Sequence, residues 1–418
     1  MDKKRIVVTG IGAITPLGND LPTTWEALKA GKSGAAPITL WDTERFKTKF
    51  ACEVKNFDPN DYFDRKTARK FDRYAMFACI SADEAIADAK LDMEQEDRER
   101  VGVVFASGIG GITTFEAEVM QYDPERGPRY NPFFIPKMIS DMAAGHISMK
   151  YGMHGPNYGT VSACASSTNA IISACDTIQM GRADVVVAGG SEATICISGI
   201  GGFNAMNALS VRNDSPETAS RPFSGSRDGF VLAEGGATLI LEEYEHAKKR
   251  GAHIYAEVKG CGMSADAYHL TASHPDGLGA KLVMTNALKD ADLQPTDVDY
   301  INVHGTSTPV GDISEAKAIV DVFGDHAYSL NISSTKSMTG HLLGAAGALE
   351  AIVCVKAIQE GIVPPTINHK EGDEDPEIDY KLNFTFNKAQ KRDVKVALSN
   401  TFGFGGHNAS AIFTKVED

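Results

Sequence analysis

Short apolar runs rich in β-branched residues, each closed by glycine, recur along the chain. They are RIVVTG (5–10), VGVVFASG (101–108), ADVVVAGG (183–190), HIYAEVKG (253–260) and VDYINVHG (298–305). Apolar and polar positions do not alternate within them, so they predict strands buried on both faces. Between them lie segments of helical length, among them DRYAMFACISADEAIADA (72–89) and KLVMTNALKDA (281–291). Strands alternating with helices predict the α/β class, with sheets covered on both sides.

The two halves of the chain also rhyme. RIVVTGIGAITP and HIYAEVKGCGMS each place a strand before a Gly-x-Gly turn. ACASSTNAIISACDTIQMGRADVVV and MTGHLLGAAGALEAIVCVKAIQEGIV share a plan: a chemically capable residue, a helix of small apolar residues, a glycine, then a strand-like run. The pattern predicts a duplicated βα architecture, with one half over residues 1–251 and the other over 252–418.

At 418 residues the chain can hold two domains or one duplicated unit with a large shared core. The N-terminus, MDKKRIVVTG, runs from charge straight into a strand, and no apolar run is long enough for a signal peptide or a membrane span. Seven scattered cysteines, without a CxxC pair, fit a reducing cytoplasm. A formal net charge of −14 argues against a non-specific nucleic-acid binder, and any acidic partner would need a local basic patch. KEGDEDPEID (370–379) reads as an acidic surface loop.

Cys164, in TVSACASSTNAIISAC, sits between Ala163 and Ala165 at the mouth of a helix-compatible segment. Two readings stand: a small buried core thiol, and a nucleophile whose thiolate the N–H groups and dipole of a helix N-terminus would favour. His304 ends a buried strand and leads into GTSTPVGD, where α/β proteins place their sites; Thr306 and Thr308 lie on the same loop. Asp312 and Glu315 read as a capping pair for the helix that follows. His341 precedes an apolar helix containing Gly344 and Gly347, a position that favours a neutral imidazole able to donate to an oxyanion. Inside that helix the carboxylate of Glu350 needs a partner, and Lys336 is the candidate. Near the C-terminus, TFGFGGHNASAIF is rich enough in glycine to bring bare backbone N–H groups to a reacting carbonyl. The P-loop signature is absent from it. TGIGAITPLG lacks the third glycine of a dinucleotide fingerprint.

SACASS around Cys164, HGTSTPVGD from His304, STKSMTGHLLGAAGALE with Lys336 and His341, and NTFGFGGHN with Phe404 together resemble the β-ketoacyl-[acyl-carrier-protein] synthases, and their elongating type II branch in particular. The resemblance runs the whole chain. It implies a thiolase-like fold with two βα halves in a five-layered α-β-α-β-α core, an acyltransferase of fatty acid biosynthesis, and a cytoplasmic homodimer. Cys164 would take the acyl chain from an acyl carrier protein. His304 and His341 would hold the malonyl thioester oxygen during decarboxylation, backed by Lys336 and Glu350. The N–H groups of Cys164 and Phe404 would form the oxyanion hole. Phe404, with Phe402 nearby, would gate the cysteine. Thr306 and Thr308 would bind the phosphopantetheine arm on which substrates arrive, and Ile109 and Phe203 would line the acyl pocket. No metal and no separate cofactor are implied. A degradative thiolase would need a second cysteine near the C-terminus, and GFGGHNAS has none. A chain-length factor would lack Cys164. A cysteine hydrolase would leave the Lys–His–His set unexplained. A polyketide synthase of the same branch changes the substrate and not the chemistry.

For an acidic carrier, DYFDRKTARKFDRYAMFA (61–78) offers a basic face if helical: Lys66, Arg69, Lys70 and Arg73 at i, i+3, i+4, i+7, opposite Phe63, Phe71, Tyr74, Ala75 and Ala78. The resemblance makes Lys66, Arg69 and Lys70 the docking residues, with Arg129 as an addition. Two positions depart from the family: Asn207, where a basic residue is common, and His407, where threonine is common. His407, His269 and His274 are read as loop residues.

Overall fold

The computed structural model describes residues 3–417. One ten-stranded sheet organises the chain: β1 Ile6–Ile14, β2 Val101–Ala106, β3 Asn157–Tyr158, β4 Val185–Glu192, β5 Gly235–Glu243, β6 Ala256–Ala265, β7 Tyr300–Asn302, β8 Asn331–Ser333, β9 Val396–Gly403 and β10 His407–Thr414. The order across it is β8-β7-β9-β10-β6-β1-β5-β4-β2-β3. Outward from the centre, β1-β5-β4-β2-β3 and β6-β10-β9-β7-β8 repeat one plan: two antiparallel pairings followed by two parallel ones. The halves meet at β1 and β6, which pair only through Val7–Glu257 and Val8–Ala256.

Six main helices are α1 Arg73–Asp88, α2 Met142–Tyr151, α3 Ser166–Gln179, α4 Leu278–Ala291, α5 Pro309–Phe323 and α6 Ala346–Glu360. α1 and α2 cover the outer face of the first half; α4, with α5 against it, covers the second. α3 and α6 pack on each other and on strands of both halves, forming the middle of five layers. That position explains why α6 is buried nearly all round, from Ala346 to Ile358.

The Gly-x-Gly pairs lie within strands and not in turns as expected, because helices press on them. A Cβ at Gly10 or Gly12 of β1 would stand 2.3 or 2.4 Å from carbonyl oxygens of α1. At Gly260 and Gly262 of β6 it would stand 2.5 and 2.2 Å from backbone atoms of α4. The second rhyme shifts in its last part: Ile362–Val363 pairs with Gln390–Lys391 outside the large sheet, and β9 takes the place that β4 holds in the first half.

Residues 61–78 do not form one helix. Arg65–Ala68 is a single turn capped by Asp64, and α1 starts afresh at Arg73 behind the cap Asp72. Arg73 therefore leaves the basic face. It turns inward to Glu234 at 2.6 Å and lies over the rings of Phe57 and Phe77. Lys66 and Arg69 are exposed, while Lys70 is half-buried over Phe133. Among the described residues, no helix is long and apolar enough to cross a membrane.

Candidate active site

Cys164 lies just ahead of α3, whose first residue is Ser166 and whose cap, Ala165, offers no side-chain acceptor. Ala163 adopts φ 51°, a strained conformation for a residue with a Cβ. Ser166 holds the bend: its Oγ accepts from Ser162 N at 2.8 Å and donates to Ala163 O at 2.6 Å. Cys164 is 8% exposed, and burial pushes its thiol up to about 12. Lys336 and the Phe404 backbone N–H pull it down, while Glu192 adds to the rise. Desolvation thus outweighs the helix terminus, and the resting group is a thiol rather than the thiolate of the nucleophile reading.

His304 follows β7 on a loop fastened by Glu315, which accepts from His304 N at 2.9 Å and Gly305 N at 2.8 Å. Glu315 is fully buried and held at about 7 by desolvation, which these bonds oppose. Asp312, also buried, accepts from Phe223 N at 2.8 Å and faces Arg227 at 3.4 Å. Asp312 serves the start of α5 in part, and Glu315 does not cap it. That helix starts behind Thr308, whose own side chain makes no cap. The Asp312 carboxylate faces the Ser307 and Thr308 backbone at the helix entry as well as Phe223 and Arg227, and Glu315 holds the loop at His304 and Gly305.

His341 stands five residues before α6, not at its N-terminus. Backbone pairing with the segment beside Leu232 fixes it: His341 N donates to Val231 O at 2.8 Å and Ala233 N to His341 O at 3.0 Å. The two imidazoles face each other, with centroids 5.4 Å apart and planes at 85°. Burial lowers the pKa of both well below the usual range, and the positive charge of Lys336 lowers it further. Both rings are neutral at pH 7. Behind them Lys336 and Glu350 form a buried ion pair, and desolvation raises Glu350 to about 7.

Phe404 occupies the turn between β9 and β10, where Gly405 and Gly406 take φ 88° and 74°. Gly403 must be glycine for this turn to reach the cysteine loop, since a Cβ would stand 2.6 Å from Ser162 O. His407 opens β10, is exposed and does not line the cavity.

These pieces enclose a cavity of about 510 Å³. Cys164, His304, His341 and Phe404 line it, together with Ile109, Phe203, Phe402, Thr306 and Thr308. The hydroxyls of Thr306 and Thr308 lie 3.1 Å apart. Asn207 and Phe230 complete the wall near Phe203, and Thr271 and Ser273 line it between His269 and His274. Those two histidines serve their own loops: His269 Nδ1 accepts from Thr271 N and Ala272 N, and His274 Nδ1 from Asp276 N. Lys336 and Glu350 stay behind the wall, and Lys66, Arg69 and Lys70 lie elsewhere. One buried acid beside the site, Glu192, escapes the sequence reading. Its signal is an acid closing the apolar run VVVAGGSE. Among the described residues, no group of three or more His, Cys, Asp or Glu could hold a metal ion.

Residues 3–247 match the model of the beta-ketoacyl synthase N-terminal domain, and residues 255–370 that of the C-terminal domain. The chain is 49% identical over 415 residues, 99% of each protein, to 3-oxoacyl-[acyl-carrier-protein] synthase 2 of Staphylococcus aureus (strain COL). It is 49% identical over 421 residues, the whole of both, to the protein of that name from Coxiella burnetii (strain RSA 493 / Nine Mile phase I). Among solved structures, a ketosynthase from a complex with a type II PKS acyl-carrier protein superposes with a TM-score of 0.91 at 36% identity, covering all of both chains. A beta-ketoacyl synthase from Burkholderia phymatum STM815 gives 0.88 at 35% identity, covering 99% of this chain and 100% of that one.

Proposed function

The chain belongs to the beta-ketoacyl synthase family, and from that premise we propose how its cavity performs the reaction. The enzyme elongates acyl chains carried by acyl carrier protein, as a 3-oxoacyl-[acyl-carrier-protein] synthase of fatty acid biosynthesis. An acyl group passes to the enzyme and then condenses with a malonyl group. The products are a 3-oxoacyl carrier two carbons longer and carbon dioxide.

In our reading, Cys164 Sγ attacks the acyl thioester carbon, the carrier sulfur leaves, and the thiol proton goes with it. The N–H groups of Cys164 and Phe404 hold the tetrahedral oxyanion, each worth about 3 kcal/mol of barrier. Malonyl carrier then binds with its thioester oxygen between His304 and His341. The carbon–carboxylate bond breaks, carbon dioxide leaves, and the electron pair becomes an enolate held by the two neutral imidazoles. Its carbon attacks the acyl-cysteine, and the cysteine sulfur departs and regains a proton. Two neutral donors suit this step because decarboxylation creates the carbanion without removing a proton, so no base is needed. The same reasoning leaves no task for a metal or separate cofactor, and full activity in chelator checks it. A covalent intermediate splits one hard condensation into two easier steps.

The observation that carries this reading is one cavity that joins Cys164 of the first half to His304 and His341 of the second, with both rings neutral. Thr306 and Thr308, which line the cavity, bind the phosphopantetheine arm in this reading, and Ile109, Phe203 and Phe402, which also line it, shape the acyl end. Lys66, Arg69 and Lys70 dock the carrier. The protein works in the cytoplasm as a homodimer, a state that light scattering would read directly. The test is to incubate it with acyl carriers of graded length plus malonyl carrier and weigh the products. The Cys164→Ala variant should form no acyl-enzyme; label retained by that variant would remove Cys164 from the mechanism.

A further inference from the structure

Glu192 ends β4 and is completely buried beside the active site. Burial raises the pKa of its carboxyl, and hydrogen-bond donors rather than a cation oppose that rise. The donors come from both halves of the chain. Oε1 accepts from Ser107 Oγ at 3.0 Å and Ile109 N at 3.2 Å; Oε2 accepts from Gly108 N at 2.9 Å and Gly344 N at 3.0 Å. Ser107, Gly108 and Ile109 form the loop after β2, whose Ile109 lines the cavity. Gly344 belongs to the turn that begins with His341.

The junction has no slack. A Cβ on Gly344 would stand 2.3 Å from Gly108 N and 2.8 Å from Glu192 Oε2, and one on Gly108 would stand 2.8 Å from the same oxygen. Three backbone N–H groups and a hydroxyl converge on one carboxylate, and an apolar side chain could not replace any of these bonds.

We propose that Glu192 is a positioning residue: its carboxylate ties the Ile109 wall of the acyl pocket to the turn carrying His341, so that acyl-chain length governs the decarboxylation half-reaction. The proposal rests on the condensation chemistry given above. An acyl chain long enough to press on Ile109 displaces a loop whose N–H groups share one acceptor with Gly344. The displacement reaches His341 three residues away. A short chain leaves the clamp undisturbed.

The experiment loads the intact enzyme at Cys164 with a short or a long acyl group and measures carbon dioxide release from malonyl carrier. In the wild-type enzyme the two rates should differ at least fivefold. Glu192→Gln keeps the shape but offers only one acceptor oxygen, and should bring the ratio within twofold of one. Ser107→Ala removes one donor outside the cavity, together with the acceptor that Ser107 Oγ offers Gly110 N at 3.0 Å, and should give an intermediate ratio. Ser107→Thr, which keeps the hydroxyl, should restore the wild-type ratio, and the pair decides the matter if the glutamine variant does not fold. A wild-type ratio near one, a wild-type ratio preserved in the folded glutamine and alanine variants, or an equal fall at both lengths would overturn the proposal. Failure of the wild-type enzyme to form any acyl-enzyme would instead strike the reading of the reaction itself.

Discussion

Cys164 shows how far a neighbourhood can reverse what a sequence position suggests. Its place ahead of α3 favours a thiolate, yet packing that excludes water puts the thiol at about 12. Iodoacetamide at pH 8 should therefore alkylate Cys164 tenfold or more slowly than free cysteine, read by mass spectrometry, because the thiolate is the reactive form. Lys336 and Glu350 make a second residue-scale case. Both are almost fully buried, so each stands in for the water the other has lost. Lys336→Met should cost about 3 kcal/mol at pH 8, where the wild-type carboxyl is ionised and, on losing its cation, must take up a proton to stay buried. The penalty should shrink at pH 5.5, where a carboxyl held near 7 is already protonated. Denaturant unfolding at the two pH values checks both. Glu192, by contrast, is legible only in hindsight, since nothing in GGSEA says that four donors wait for its carboxylate.

At the level of elements, the runs ending in glycine all became strands, four of them buried on both faces between covering layers, whereas β6, built on HIYAEVKG, leaves Lys259 and Met263 exposed on one face. The 61–78 segment failed as a helix for a local reason: Asp64 and Asp72 each cap a new start, and two caps eight residues apart cut one helix into two. Helical spacing placed Arg73 on the surface, and the break let it turn to Glu234. Charge reversal at Arg69 and Lys70 should still weaken carrier-dependent acylation, seen as a rise in KM of tenfold or more, while acylation by a small thioester stays within twofold. Asp312 and Glu315 read as a cap because sequence shows neighbours and not the strand and loop that fold back on them. For Glu315 the linkage is signed. Its folded pKa, about 7, lies above its unfolded value, so its contribution is complete below the unfolded value and is lost as pH rises through 7. The folded state gives up about 3 kcal/mol over that window. Glu315→Gln should therefore gain about that much on the wild-type protein between pH 4.5 and 7, whatever its constant offset.

The whole molecule carries a formal charge of −14, so an acidic carrier meets net repulsion and depends on a few cations nearby. Raising salt from 50 to 500 mM should screen both, and the short-range attraction should dominate: KM for acyl carrier rises while KM for a small thioester does not. Duplication was legible at this scale because strand–glycine and helix–glycine patterns recur. The seam was not, since no local pattern in the sequence marks which strands of the two halves pair with each other. That seam joins the halves through two residue pairs of backbone, while side chains from both sides fill the middle layer. Covalent continuity between Gly251 and His253, an exposed crossing, is then dispensable for the finished enzyme. A protein nicked there by a site-specific protease should stay assembled and turn over at its former rate. Fragments expressed separately should be inert and regain activity by complementation, since Cys164 lies on one fragment and His304, His341 and Phe404, which line the same cavity, on the other.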